Sequence, residues 1–429
     1  MGVTLWIAFV AGTAIGMPLA FVMGGSGLIA LLVESKLSLL SVPQRFFNGI
    51  NSFPLMAAPL FILAADLMSA SAITSSILRV TNSLVGHIRG GLGHVSVLSE
   101  MIFSGISGSA LADAAGPGAV MMRMMQRAGY EPHYSAAFAA ATATLGPIIP
   151  PSIIMIIYAM CDSRVTVAGL FMAGVVPGVL LGGALALTNY IISVRHGYRF
   201  TSKKASWAAR LKSFWKAMPA LIMPVIIFGG ILTGTFTATE SAAVAVVYAL
   251  FVGLFITRKL NFRLITKVFL QSSLVTSAAL LIVAMASLFS WLLTILQIPQ
   301  TVALAIGSMT TSPMVVMWLV AIFVLICGTL IDVLPAVIIL VPVLTPLTDQ
   351  FGINPLYFAM CFVLNITIGL ITPPVGGVLF VITSISRLKF ERISRAILPM
   401  ILAELAVLAL IILFPSLSVM LPAWLGYTH

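Results

Sequence analysis

The sequence predicts an all-α polytopic integral membrane protein. It also predicts an inverted-topology repeat with two re-entrant hairpins and two interrupted helices. Three observations carry this. Of the 429 residues, 60% are hydrophobic and only 8% are charged, against roughly 25% charged in soluble domains. Apolar segments of about 20 residues, one membrane crossing each, fill almost the whole chain. Two Gly/Pro interruptions, "GPIIPP" from Gly146 and "GLITPP" from Gly369, stand 369 − 146 = 223 residues apart.

Residues 1–35 run long for one span. The breakers "GMP" (16–18) and "GGSG" (24–27) divide them into shorter helices. They lack the basic n-region of a signal peptide, so they read as membrane helices of the mature chain. Residues 36–200 read as a first repeat, with a re-entrant hairpin at 95–128 and an interrupted helix at 133–160. Residues 201–257 read as a cytoplasmic amphipathic linker and two transmembrane helices. Residues 258–429 read as the second repeat, with a hairpin at 313–347 and an interrupted helix at 355–385. Two further matches support the repeat. "FNGINSFPLMAAPLFILAADLM" from Phe47 resembles "FLQSSLVTSAALLIVAMASLF" from Phe269, an offset of 269 − 47 = 222. "FSGISGSALAD" and "LICGTLID" end at Asp113 and Asp332, an offset of 332 − 113 = 219.

Charge sets the orientation. The net charge of +11 would suggest a nucleic-acid partner in a soluble protein. Here 7, 4 and 4 of the 22 basic residues cluster at 195–216, 258–267 and 387–395, the pattern of cytoplasmic loops. No nucleic acid is expected. Arg79, Arg89, Arg123 and Arg127 flank the first hairpin on both sides, so its ends face the cytoplasm. The flanks of the second hairpin carry only Asp349 and suit the outside. Equivalent segments on opposite sides make an inverted repeat, the pointer to a secondary transporter with a midplane site. The segment 396–414 then leaves the cytoplasm and places the C-terminus outside. Trp207 and Trp215, with Lys203, Lys204, Arg210, Lys212 and Lys216, read as an amphipathic helix on the cytoplasmic surface; a partner-subunit contact is the alternative.

Three constellations can carry chemistry. Proline removes a helix N–H and clashes with the preceding turn. Each Gly/Pro interruption therefore frees carbonyl oxygens, which suit a hard cation. One copy alone reads as an ordinary kink; two equivalent copies argue for a device. The hairpin tips, Ser104–Ser109 and Cys327–Thr329, offer hydroxyls and glycine, either for a ligand or for close helix packing. Asp113, Asp332 and Glu240 are acids within apolar segments, costly there and functional by default. Capping of their own helices is the competing reading, shared by Thr239 beside Glu240. Asp66 and Glu404 look like packing or interfacial residues. The cysteines Cys161, Cys327 and Cys361 and the histidines His87, His94, His133, His196 and His429 form no metal or disulfide pattern.

No nucleotide loop, zinc motif or nucleophile elbow is present, so an enzyme is not expected and transport should run on an ion gradient. Oxygen-rich interruptions suit Na⁺ better than a proton relay; H⁺ coupling is the alternative. An ion channel with the interruptions as its filter and a membrane enzyme are weaker readings.

Four stretches together resemble one family. "FSGISGSALADAAG" (103–116), "LGPIIPPSIIMIIYA" (145–159), "GILTGTFTATESAAVAVVYAL" (230–250) and "IGLITPPVG" (368–376) look like the large membrane subunit of TRAP transporters, the tripartite ATP-independent periplasmic systems, in its unfused form. The resemblance implies an ion-transporter-type fold, with a scaffold plus an elevator transport domain, in the bacterial inner membrane. It implies a small four-helix membrane subunit, a periplasmic substrate-binding protein and Na⁺-driven uptake of a small organic anion such as a C4-dicarboxylate or sialic acid. No cofactor is expected beyond Na⁺ as coupling ion. Carried over by motif, one sodium site would use Ser104, Ser107, Gly108 and Ser109 with Gly146, Ile149 and Pro151. The second would use Gly328, Thr329, Gly369, Thr372 and Pro374. Substrate would lie near Ser109, Asp113, Thr329 and Asn365.

Overall fold

Helices account for all regular structure among the described residues of the computed structural model, 1–33, 38–71, 73–198 and 204–427. Lys203, His429 and the boundaries set at 35–36 and 200–201 lie outside them. The chain opens on α1 (Gly2–Ala14) and α2 (Leu19–Val33), then a bent pair, α3 (Ser41–Ile50) and α4 (Ala57–Ala70), and α5 (Thr74–Val85). The first hairpin is α6 (Gly91–Ser107) followed by α7 (Ala110–Asp113) and α8 (Ala119–Arg127). A wider π-helical turn around Pro117 joins the last two. The first interrupted helix is α9 (Pro132–Ala143) and α10 (Ile153–Cys161), and α11 (Val167–Arg195) follows. Two linking helices come next, α12 (Trp207–Leu232) and α13 (Ala238–Phe251).

The second half repeats the first. It contains α14 (Phe262–Ile295), α15 (Ile298–Met309), the hairpin α16 (Pro313–Leu330) and α17 (Val333–Gln350), and the interrupted helix α18 (Pro355–Gly369) and α19 (Gly377–Ser386). It ends with α20 (Phe390–Ala396), α21 (Leu398–Leu413) and α22 (Ser416–Trp424). The hairpins start 313 − 91 = 222 residues apart, and the interrupted helices 355 − 132 = 223. Among the described residues six helices are long and apolar enough to cross a membrane, or eight if each of two bent pairs counts as one span.

The two hairpins enter from opposite ends of α11. Its 29 residues span about 44 Å. Just past its C-terminal end, the Tyr198 hydroxyl accepts from the Glu131 backbone N–H at the base of the first hairpin, at 3.1 Å. Just before its N-terminal end, Arg164 reaches the base of the second hairpin. Arg164 forks onto Asp162 at 2.8 and 2.9 Å and also donates to Thr348 and Asp349. Each hairpin packs on the outgoing half-helix of the other repeat: α17 on α10, and α7 and α8 on α19.

Three expectations need correction. "GMP" does divide the N-terminal stretch, but "GGSG" lies inside α2. Gly24 and Gly27 let α2 approach Met285 and Leu288 of α14, so there the small residues serve packing rather than a break. The basic stretch from Trp207 to Lys216 is not a separate surface helix; it forms the first turns of α12. Nothing after Lys216 ends the helix, because Pro219 and Pro224 are accommodated within it, and the Tyr248 hydroxyl takes up the Pro219 carbonyl at 2.9 Å. Thr239 does not cap α13: Thr237 does, in a capping box with Glu240, while Thr239 donates to the Phe53 carbonyl.

Asp162 has a side chain only 4% exposed, whereas Asp349 is 72% exposed. Arg164→Ala therefore strands a buried carboxylate and is expected to cost about 2 kcal/mol. Asp349→Ala removes only an exposed partner and should cost under about 1 kcal/mol. Thermal unfolding of the detergent-solubilised variants checks this ranking.

Candidate functional site

The site begins with the two helix breaks. In the first, short turns carry the backbone from Thr144 to Ile149. Pro147, Pro150 and Pro151 then supply no N–H. Among the described residues no hydrogen bond ends on the carbonyls of Gly146, Ile148, Ile149, Pro150 or Pro151. Ser152 caps α10 by accepting from the Met155 N–H at 3.3 Å. The apex of the first hairpin lies against this break. Gly108 has φ +63°, and a Cβ there would lie 2.5 Å from the Pro151 carbonyl oxygen. The Ile153 N–H donates to the Gly108 carbonyl. The carbonyls of Gly105, Ile106 and Ser107 end α6 without partners among the described residues.

The Ser107 hydroxyl donates to Asp113, and Gly146 faces that carboxylate. The Ser104 hydroxyl is turned back to the Glu100 carbonyl at 2.7 Å, and Ser109 caps α7. The structure thus gathers Ser107, Gly108, Ser109, Gly146 and Pro151 at one crossing. The Ile149 side chain faces Gly178 of α11.

The second crossing is built alike. A Cβ on Gly369 would lie 2.6 Å from the carbonyl carbon of Gly328. The carbonyls of Gly328 to Ile331 and of Ile371 to Pro374 receive no hydrogen bond among the described residues. The Thr372 hydroxyl donates to the Ile368 carbonyl at 2.8 Å, and Thr329 donates to Ile326 at 2.8 Å. Asp332 caps α17 through the Val333 N–H at 2.8 Å. Both breaks carry a cis Pro–Pro bond, Pro150–Pro151 and Pro373–Pro374.

Between the two hairpin apices lies a cavity of about 530 Å³. Ser107 to Ala112 line one side and Asp332 to Leu334 another; α4, α10 and α14 complete it. Of the expected substrate residues, Ser109 lines this cavity. Asp113 lies just behind, 1% exposed. Thr329 and Asn365 are not on its wall; the Asn365 amide donates to the Ala321 carbonyl at 2.6 Å and ties α18 to α16. Among the described residues two acids face the cavity, Asp66 and Asp332, and no basic side chain does.

Sequence reasoning passed over Glu100 and read Asp66 and Glu404 as packing or interfacial residues. Asp66 is a cavity residue that accepts from Ser272 of α14 at 2.6 Å. Glu404 is fully buried and accepts from Thr144, at the head of the first break, at 2.9 Å. Glu100 is fully buried, neither oxygen has a partner among the described residues, and Asp113 lies close enough to interact electrostatically. The signal of all three was an isolated acid within an apolar run.

Comparison with known proteins places this architecture. The family described as "Tripartite ATP-independent periplasmic transporter, DctM component" matches residues 6–417. The chain belongs to the DctM family. This DctM-family chain is 36% identical over 413 residues to the sialic acid TRAP transporter large permease protein SiaM of Vibrio cholerae, covering 96% of each chain. It is 38% identical over 404 residues to the C4-dicarboxylate TRAP transporter large permease protein DctM of Pseudomonas aeruginosa, covering 94% of each. In fold it is similar to the YdaH transporter of Alcanivorax borkumensis, with a TM-score of 0.63 at 15% identity, covering 99% of this chain and 98% of that one. The DctM-family chain is therefore a large membrane component of a tripartite transporter.

The Gly328–Gly369 contact is backbone on backbone, so no side chain can yield. Gly369→Ala is expected to destabilise the protein by about 1–3 kcal/mol. Gly183→Ala, on α11 with open space around it, should be neutral or up to about 1 kcal/mol stabilising. Thermal unfolding of the two variants checks the contrast.

Proposed function

We propose that the protein is the permease of a Na⁺-coupled, binding-protein-dependent importer of a small organic anion. One observation carries the reading. Among the described residues, the cavity between the hairpin apices faces two carboxylates and no basic group, and two crossings of unpartnered carbonyl oxygens flank it. An anion alone is repelled there. Cations held at the crossings reverse the sign of the local field, so anion and cation bind together. That is the coupling a symporter needs.

Na⁺ is a hard cation that takes oxygen ligands. The first crossing offers it the carbonyls of Gly146, Ile149 and Pro151, the hydroxyls of Ser107 and Ser109, and the Asp113 carboxylate. The second offers Gly328, Thr329, Gly369, Thr372 and Pro374. The anion then lies beside Ser109, between the N-terminal ends of the α7–α8 arm and of α17, where the N–H groups of Ala110, Leu111 and Leu334 have no partner among the described residues and suit a carboxylate. A sialic acid or a C4-dicarboxylate, the substrates named for the two relatives above, represents the class. The hairpins and interrupted helices move as one elevator body against a scaffold that includes α4 and α14. The protein sits in a bacterial inner membrane with its C-terminus periplasmic, joined by a four-helix Q-type subunit and a periplasmic P-type binding protein.

Proton coupling is the second reading. The buried acids Glu100, Asp113 and Glu404, each with an unpartnered oxygen among the described residues, favour it. Uptake of labelled sialic acid and succinate into proteoliposomes with both partner proteins separates the two. Uptake driven by a Na⁺ gradient and lost in K⁺ supports the first; uptake that follows a pH gradient and ignores Na⁺ supports the second. On the Na⁺ reading, Asp113→Asn removes the only carboxylate among the residues assigned to the first crossing. The Na⁺ concentration for half-maximal uptake should rise at least about ten-fold, roughly 1.4 kcal/mol, with membrane insertion intact.

A further inference from the structure

We propose that a second cavity, beside Arg45, is an anion waiting site that holds a carboxylate on its path to the space between the hairpin apices. The proposal rests on the reading of the protein as an organic-anion importer. The second cavity has a volume of about 730 Å³, within the range of sites for small ligands. It shares Leu55, Ile157 and Val283 with the central cavity, so the two chambers adjoin. Along α14 the central cavity meets Val275 to Val283, and the second meets Val283 to Thr294. The eleven steps from 283 to 294 (294 − 283) span about 16 Å of helix. The path therefore leads away from the basic stretch 258–267, toward the end of the molecule that carries Arg164.

Arg45 is the only charged residue lining this chamber among the described residues. Its guanidinium carbon lies 4.7 Å from the centroid of the Trp291 ring. It makes no hydrogen bond or ion pair among the described residues. Contact with the tryptophan face holds the guanidinium in place, and its N–H groups, without a partner among the described residues, can grip a carboxylate in bidentate fashion. The crossing that sets this geometry is tight: a Cβ on Gly49, one turn beyond Arg45, would lie 2.6 Å from the Ser287 Cβ. Ser287, Ser290 and Thr294, at spacings of three and four, present one hydroxyl face of α14 to the chamber. The hydroxyls of Ser287 and Ser290 make no hydrogen bond among the described residues. Among the described residues the outer chamber has one cation and no acid, whereas the inner has two acids and no cation. An anion thus rests outside until cations at the crossings make the inner chamber favourable. A lipid headgroup offers the same anionic chemistry; continuity with the inner cavity favours a soluble carboxylate.

The test reads anions at Trp291 directly. The full chain, with Trp6, Trp207, Trp215, Trp318 and Trp424 replaced by Phe, is placed in phosphatidylcholine nanodiscs. Iodide and neutral acrylamide then quench the remaining tryptophan. Arg45→Gln should lower the iodide quenching constant at least about three-fold and leave acrylamide quenching unchanged. Arg45→Lys, which keeps the charge, should retain most of the iodide effect and guards against a misfolded Gln variant. Excess succinate should protect Trp291 from iodide in the parent protein and not in the Arg45→Gln variant. Equal iodide quenching in the parent and the Arg45→Gln variant, or no protection by succinate, overturns the proposal. Protection that arises only from phosphatidylglycerol in the discs also overturns it and assigns the site to lipid. Transport plays no part in this readout, so its failure is separate from a failure of Na⁺-coupled import.

Discussion

A backbone carbonyl without a hydrogen-bond partner is costly inside a membrane protein, because hydrocarbon offers no water to replace the lost N–H. This chain gathers such carbonyls at four places: the ends of α6 and α16 at the hairpin apices, and the two proline breaks that face them. Much of the architecture follows from that constraint. The apices approach the breaks through Gly108 and through Gly328 against Gly369, where a side chain would not fit. The first break is enclosed rather than turned to lipid: Ile148 and Ile149 face α11 through Gly174 and Gly178. The hairpins cross over, each covering the outgoing half-helix of the other repeat, and Arg164 ties one of these crossovers at its base.

Charge is distributed to match. Five acids lie inside, Asp66 and Asp332 on the central cavity and Asp113, Glu100 and Glu404 buried around the first crossing. The basic residues gather mainly at one end of the membrane helices, and among the described residues Arg45 is the one charged group on the chamber toward the other. In such a field an organic anion is drawn as far as Arg45 and held off from the centre. Cations reverse the second effect, and that ordering gives a physical reason for coupling.

The fold was legible because its devices are written in few residue types. Proline and glycine at a fixed offset marked both breaks, and the structure places them at Thr144–Ser152 and Leu370–Gly376. Arginines on both sides of one hairpin marked its two ends as neighbours. Other features were not legible. "GGSG" has the composition of a break, yet partner side chains on α14 keep it helical. The amphipathic start of α12 carries no stop signal, so only the structure shows that it runs on into the membrane. Asp66, Glu100 and Glu404 differ from packing residues only in what surrounds them, and those neighbours lie far off in the chain, as Thr144 does from Glu404. Arg45 and Trp291 meet across the α3–α14 crossing, a pairing that no local pattern encodes.

The central claim is that the paired crossings bind Na⁺. A ligand that binds only the folded state raises its stability by RT ln(1 + c/Kd) at free ligand concentration c, so the gain keeps growing with ligand concentration. The direct measurement is the thermal unfolding of the purified chain in NaCl against KCl at constant ionic strength. The account predicts that the unfolding temperature climbs with Na⁺ concentration and not with K⁺, and that Asp113→Asn flattens the climb. Equal behaviour in both salts, with the protein folded, would contradict it.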